Sequence, residues 1–554
     1  MFMRLASPNE RRTISREDLG FYNAVVIAAV YEAPEGVDID LTSALSFVAP
    51  LRKCILEQPY LSVVVKDKHT DNASYEKVER IDLSNHISIL HDQTSHVDTE
   101  NKTIERNLVP ILDRPWSNDI PPWRIVVLPL APVPATVTAT DDESKKKIKT
   151  SIKRCLTAFS FSHTLGDGVS GLIFHRAFLS AWNIYINKVD ATSSGTSPAE
   201  QSPKSNNGSL IVAPSLHPLP SPFDTPSHLP ISWKFLLSPL LAAVLPAFIN
   251  NLFGLRASSS PRDKGTWTGA RMFFDPAVRN SSRLRLLEIE APLLLNALRV
   301  SRARGAKLTG VIHQLVVAAL GRALMGKGLG LMNSDSEITN LVSGTAINMR
   351  SSIGTDQGAW GLFVSGDYAV HPVHSLITDA EVSKTETEKQ NPLSSSDFIL
   401  SEKAWASARE ITTSLAEASV RLKDQAIGLL RYAPSIRSWT AKHVGGERDC
   451  SYRVSNLLAF DGEPEGEPES EPKSKIKNKT KIKISKVIFA TPADVTGAPL
   501  AFDIVSLKGE SLVCSVGWQG GALGLPGEKV DEVEGAFVDE ILESIRGGFE
   551  ALEV

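Results

Sequence analysis

The chain has 554 residues, 42% of them hydrophobic and 22% charged, with a formal net charge of -4. That length exceeds what one hydrophobic core sustains, so two domains sharing an interface are expected. No basic stripe interleaved with aromatics appears, which argues against a nucleic-acid partner, and the Lys-rich runs near Lys145 and Lys475 read as solvated loop.

Met1 to Arg16 is charged and lacks an apolar core, so no secretory signal is expected there. Asn23 to Tyr31 is an apolar run of strand character, Leu41 to Cys54 has helical spacing, and Tyr60 to Val65 is again strand-like. Leu156 to Phe161 predicts a buried strand running straight into His163, and Val169 to Trp182 predicts a helix with a wide apolar face. Ile231 to Leu255 is strongly apolar but interrupted by Pro239, Pro246 and Asn250-Asn251. Its longest unbroken stretch falls short of the ~20 residues a spanning helix needs. An internal helical hairpin is one reading; a lid, or a peripheral contact with endoplasmic reticulum or lipid droplet, is the other.

The second half repeats the rhythm. Leu284 to Ile289 is strand-like, Ala291 to Arg304 helical, and Thr309 to Ala323 a helix apolar nearly all round, hence buried. Leu341 to Asn348, Ile484 to Thr491, Leu500 to Leu507 and Leu512 to Trp518 predict strands, and Lys529 to Phe549 an amphipathic closing helix. Four low-complexity tracts, Pro132 to Thr150, Asp190 to Pro230, Ser383 to Asp397 and Asp461 to Lys483, predict surface loops with little order. The resulting division is an N-terminal domain over 1–230, an apolar connector over 231–264 and a C-terminal domain over 265–554, each domain mixed α/β. Cys54, Cys155, Cys450 and Cys514 are too scattered for a zinc site or a disulfide framework, and a reducing compartment fits best.

The chemistry concentrates in His163-Thr164-Leu165-Gly166-Asp167-Gly168. A histidine between a buried strand and a helix stands on a tight turn at the core's edge, and an imidazole of ordinary pKa ~6.5 accepts a proton at neutral pH. Asp167 need not touch substrate; turned into the fold, it requires a cationic partner or several donors. By itself a His with an Asp four residues on is a weak motif, and a turn histidine with a satisfied ring is the alternative. His175 and His313 fall on apolar helices and read as core histidines.

In its setting the run resembles the HxxxDG signature of the coenzyme A-dependent acyltransferases related to chloramphenicol acetyltransferase, which include BAHD and condensation-domain proteins. Within that superfamily the chain is most similar to the fungal alcohol O-acetyltransferase family. The similarity covers nearly the whole chain outside the low-complexity tracts. It rests on Leu19-Gly20-Phe21-Tyr22-Asn23, Gln58-Pro59-Tyr60-Leu61-Ser62, Pro122-Trp123-Arg124, Trp267-Thr268-Gly269, Thr309-Gly310-Val311-Ile312-His313, Ser455-Asn456-Leu457 and Gly517-Trp518-Gln519 in the same order.

The resemblance implies two chloramphenicol acetyltransferase-like domains, each a mixed β-sheet flanked by helices, with a channel between them. It implies acetyl-coenzyme A as co-substrate, no metal, and a ternary complex without a covalent enzyme intermediate. His163 would be the general base, Asp167 a structural residue and Gly168 the turn that completes the motif. Ser455 and Asn456 are candidate oxyanion donors ahead of Trp360. By analogy an arginine of the second half, Arg350, would pair with Asp167. The plant members' DFGWG motif has no true counterpart in Asp356-Gln357-Gly358-Ala359-Trp360-Gly361, which reads only as a turn. The acceptor is expected to be the hydroxyl of an alcohol or secondary metabolite. An amine acceptor, a carrier-fed transferase and a non-catalytic scaffold remain as other readings. A cytoplasmic monomer, with or without the membrane contact, is the expected form.

Overall fold

A computed structural model describes residues 1–33, 37, 39–90, 99–134, 151–193, 209–246, 260–277, 282–325, 338–372, 400–462 and 481–552. In chain order the first half comprises β1 (Phe2–Leu5), α1 (Pro8–Asp18), β2 (Val25–Ala33), α2 (Val48–Glu57), β3 (Val63–Lys66), β4 (Ser74–Lys77), β5 (Ile81–Asp82), β6 (Ile87–Ile89), α3 (Glu100–Leu112), β7 (Trp123–Pro134), β8 (Ser151–Phe161), α4 (Gly168–Ser193), β9 (Ile211–Val212) and α5 (Trp233–Val244). The second half comprises β10 (Ser282–Ile289), α6 (Ala291–Ala303), α7 (Leu308–Met325), β11 (Asn340–Asn348), β12 (Val364–Pro372), α8 (Glu402–Val420), α9 (Ile436–Ala441), β13 (Tyr452–Phe460), β14 (Lys483–Ala490), β15 (Leu500–Leu507), β16 (Leu512–Gln519) and α10 (Val530–Glu550).

Two mixed sheets organise these elements. One has five strands in the order β14-β2-β8-β7-β6, the other six in the order β10-β16-β15-β13-β11-β12. β6 runs parallel to β7, and β13 runs parallel to both β11 and β15; the remaining pairs in the two sheets are antiparallel. Every residue of β2 is buried, because the strand has ladder partners on both edges and covered faces above and below; it therefore shows no polar alternation. α4 lies against it through Gly171, where a Cβ would come within 2.3 Å of Ile27 Cγ1. In the second half α7 supplies Val311, Leu315, Val316 and Leu320 to a core shared with β11, β13, β15 and α10.

Several expectations change on the structure. β14, assigned by position to the C-terminal domain, leaves that half and pairs with β2, from Lys483 opposite Glu32 to Ala490 opposite Val26. Period-two patterning identifies a strand but not the sheet it joins. The segment Tyr60 to Val65 is half a 3-10 turn, Pro59–Ser62, because Pro59 fixes φ and brings no N–H to a ladder. The tract Asp190 to Pro230 is partly structured. α4 continues to Ser193, residues 194–208 lie outside the described residues, and beyond them Phe223 and Leu229 pack with Ile347, Met349 and Phe363. Ile211–Val212 pair with β5 as β9, and the proline-rich stretch after them is buried by a few apolar side chains. Pro132 to Pro134 belong to β7, and Ser383 to Asp397 lies outside the described residues.

From the apolar connector the structure describes α5, with Pro239 inside it and Trp233 77% exposed; residues 247–259 lie outside the described residues. Among the described residues no helix is long and apolar enough to cross a membrane.

The contact between α4 and β2 yields a direct test. Gly171→Ala is expected to destabilise the fold by about 1–3 kcal/mol through overpacking. Combined with Ile27→Ala, it should cost clearly less than the two single changes added together, as read from a double-mutant cycle in chemical denaturation. Strict additivity would show that the helix does not bear on that side chain.

Candidate active site

His163 follows β8 by two residues and precedes α4 by five, so it stands where the strand's end and the helix's start converge. Its Nδ1 lies 2.8 Å from the carbonyl oxygen of Gly166. A carbonyl only accepts, so Nδ1 carries the proton and Nε2 presents a lone pair. No side chain or backbone group among the described residues takes that lone pair, and the ring is only partly buried. Burial pushes the imidazole pKa down to about 4, with Arg16 and Arg12 adding to the effect and the Gly166 carbonyl opposing it. The ring is therefore neutral across the physiological range. Tyr22 flanks it at 5.6 Å between ring centroids, tilted by 41°.

Asp167 is turned away from His163 and into the junction of the two halves. Its carboxylate receives Nη1 and Nη2 of Arg350, both at 2.9 Å, in a two-pronged pair with side chains 1% and 0% exposed. The backbone N–H of Ser170 (3.1 Å) and of Phe363 (3.0 Å) complete the shell. Burial alone would raise the Asp167 pKa; Arg350 and these backbone donors outweigh it and hold the carboxyl below its usual range. Arg350 also donates from Nε to the Ala359 carbonyl at 2.9 Å.

The run Asp356 to Gly361, read from sequence as a mere turn, closes this assembly. Trp360 donates its indole N–H to the Leu165 carbonyl at 2.7 Å, inside the His163 turn. That donor is spent, which removes Trp360 from the oxyanion candidates. The Gly361 carbonyl accepts from the Asp167 N–H at 3.1 Å and from the Ser170 hydroxyl at 3.0 Å. Gly168 is required sterically, since a Cβ there would lie 2.9 Å from a methyl of Leu457.

Leu457 brings β13 against the motif, and Arg453 and Ser455 precede it at alternate positions on the strand. Arg453 reaches the Thr491 hydroxyl at 2.8 Å and Asp503 at 3.4 Å, and it interacts with Tyr22, the neighbour of His163. Ser455 sits between these two contact points, 7% exposed, with no hydrogen-bond partner for its hydroxyl among the described residues. Asn456 serves the strand instead: its amide donates to Thr309 Oγ1 at 3.1 Å and its carbonyl accepts from the Leu458 N–H at 2.8 Å, where Leu458 adopts φ 64°. Arg16 covers the outer face of Tyr22 at 4.5 Å and is paired with Asp494.

The structure thus brings His163, Asp167, Gly168 and Arg350 together, sets Ser455 on the strand whose Leu457 packs against Gly168, and engages Asn456 with Thr309 and Leu458. Tyr22, Arg16 and Arg453 were not visible as site residues, because nothing local in a helix or strand links them to a histidine over a hundred residues away. His175 and His313 are core groups. His175 is held by the Tyr31 hydroxyl and the Ile27 carbonyl, and His313 by the Tyr452 and Thr345 hydroxyls. No cluster of three or more metal-ligating side chains exists among the described residues.

Two outcomes follow from these environments. Removing one partner of a buried ion pair strands the other, so Arg350→Met is expected to cost about 3–5 kcal/mol in chemical denaturation, with much of the loss recovered by adding Asp167→Leu. For His175, burial lowers the pKa from 6.5 to about 4, so between those values the unfolded chain binds the extra proton. Stability then rises with pH across the window and is lost on acidification. Measured as thermal midpoint against pH, that slope should be shallower in His175→Gln than in the unmodified chain.

No protein-family model matches the chain. The sequence is 25% identical over 214 residues to the probable alcohol acetyltransferase crmB of Aspergillus fumigatus, covering 36% of this chain and 41% of that protein. The match therefore spans about two fifths of the curated relative's length. Among solved structures, TRI3 trichothecene 15-O-acetyltransferase from Fusarium sporotrichioides superposes with a TM-score of 0.57 at 14% identity, over 99% of this chain and 95% of that one. The first condensation domain of the CDA synthetase gives 0.50 at 11% identity, over 99% and 96%. With the HxxxDG turn locked at the junction of two mixed sheets, the chain shares the fold of these acetyltransferase and condensation-domain structures.

Proposed function

We propose that the chain transfers an acetyl group from acetyl-coenzyme A to a hydroxyl of a small alcohol or secondary metabolite, with His163 as general base. The observation that carries this reading is the bare Nε2 of His163, its tautomer fixed by Gly166 and its ring neutral. A serine hydroxyl without a partner among the described residues, on the strand that packs against the motif, suits the oxyanion of a thioester carbonyl under attack. Acetyl-coenzyme A supplies the activated acyl group and a thiolate leaving group.

His163 takes the acceptor's hydroxyl proton on Nε2 as the oxygen bonds to the thioester carbon, and the same proton passes to the thiolate when the carbon–sulfur bond breaks. A base of pKa about 4 is weak in the empty site. The oxyanion that develops in the same enclosed space favours the imidazolium, as any opposite charge nearby does. Ser455 donates to that oxyanion in place of Asn456. Asp167 and Arg350 hold the turn and take no part in proton transfer. The hydroxyl is preferred over an amine because the two acetyltransferase relatives are named for alcohol and O-acetyl transfer.

The test is thiol release from acetyl-coenzyme A with panels of alcohols and amines. His163→Ala should lower kcat/KM by 10²–10⁴, and Ser455→Ala by about 10² through loss of one oxyanion donor. The unmodified enzyme should hold its rate through neutral pH and lose it as pH falls through about 4, where the base is protonated. Release that survives His163→Ala unchanged excludes the proposal.

A further inference from the structure

One face of α1 carries Asn9, Arg12 and Arg16, at the i, i+3 and i+7 spacing that aligns side chains along a helix. Arg16 is satisfied by Asp494 and lies over Tyr22, one aromatic ring from His163. Arg12 is different. Its Nε is sealed from solvent without a partner, and among the described residues neither an ion pair nor a hydrogen bond is made by its guanidinium. Its surroundings come from both halves of the molecule: Tyr22 and Arg16 from the first, Tyr368 and Asp494 from the second. Burial, then the proximity of Arg16, lowers its pKa to about 10, yet it stays charged at neutral pH. One turn earlier Asn9 is 1% exposed, and neither its amide nitrogen nor its amide oxygen has a partner.

A buried amide without a partner and a sealed guanidinium Nε without one are both costly, and folded chains keep such groups where function uses them. The neighbouring cations are already answered. Arg453 has Asp503, and Arg448 donates to the carbonyls of Ala270, Asp494, Val495 and Gly497. The unanswered positive charge lies on the His163 side of the domain junction.

Resting on the transferase reading above, we propose that Arg12, assisted by Asn9, seats a carboxylate of the acceptor, so that the substrate is a hydroxy acid. A guanidinium offers two parallel N–H donors to a carboxylate, and the Asn9 amide adds a further donor. Phosphates of coenzyme A carry the same kind of charge but arrive elsewhere. With the sulfur at His163, an extended pantetheine arm sets them roughly 15 Å away, by the reach of a chain of that many bonds. Arg12 is instead one helical turn from Arg16, which itself is one tyrosine ring from the base. Neutralising Arg12 with a substrate anion also removes a charge that opposes protonation of His163, which makes the imidazole a better base once the acceptor is seated.

The experiment is calorimetric titration of the full chain and of Arg12→Met with benzoate and, separately, with coenzyme A. Benzoate should bind the unmodified chain at least tenfold more tightly than the variant, coenzyme A should bind both alike, and the variant's thermal midpoint should be equal or higher, since an unanswered charge has been removed. Benzoate affinity that is equal in the two chains, or absent from both, overturns the proposal. A selective loss of coenzyme A affinity in Arg12→Met assigns the guanidinium to a phosphate and overturns it as well. Should Arg12→Met not fold, Arg12→Lys carries the comparison: it keeps the charge without the fork and should weaken benzoate severalfold. Benzoate bound through Arg12 in a chain that never cleaves acetyl-coenzyme A would leave the carboxylate seat standing and dispose of the transferase reading.

Discussion

The bidentate pair between Asp167 and Arg350 is the constraint on which the site depends. It joins residues 183 positions apart, at 2.9 Å on both prongs, in a place water does not reach. Such a pair is poor evidence of net stability, because desolvating two charges cancels much of their attraction. What it provides is register. A carboxylate that must be answered by one guanidinium admits a single placement of the HxxxDG turn relative to β11 and the run after it. Asp167's backbone N–H, the Ser170 hydroxyl and the Trp360 indole then fasten the same turn through bonds that slack packing would not preserve. The aromatic stack of Phe159, Phe161, Phe174 and Trp360 fills the space behind it.

With the turn fixed, the imidazole's orientation requires little more. The Gly166 carbonyl fixes which nitrogen holds the proton, and Tyr22 limits the ring's tilt. The chain therefore separates two duties that many hydrolytic sites combine. Its carboxylate builds the scaffold, while the His163 ring has a backbone carbonyl rather than an acidic side chain on Nδ1. That separation explains a depressed imidazole pKa beside an aspartate: the aspartate's charge is already claimed by Arg350, so burial and the arginines of α1 dominate.

Much of this was legible in the sequence and some was not, for identifiable reasons. The strand before His163, the helix after it and the alternation of elements in both halves are local properties, and the strands β2, β8, β10, β11, β15 and β16 and the helices α4, α6, α7 and α10 all lie over the expected runs. The His163 turn could be located because a buried strand, a DG pair and an apolar helix occur consecutively. Arg350 could be named only by analogy, since a strand-end arginine looks alike whether it faces solvent or a carboxylate. Long-range pairings were invisible. Nothing in Lys483 to Ala490 says that it lies beside β2, and nothing in Asp356 to Gly361 says that its carbonyls receive Arg350 and Ser170. Prolines between Leu210 and Pro230 suggested looseness, but Phe223 and Leu229 are buried all the same.

The exchange of β14 between the halves has a mechanical corollary. A strand that starts in one lobe and is zipped along β2 of the other ties the two lobes together, so they cannot swing apart without stripping the ladder at the edge of the first sheet. The two lobes expressed apart would each lack a strand or a partner for one.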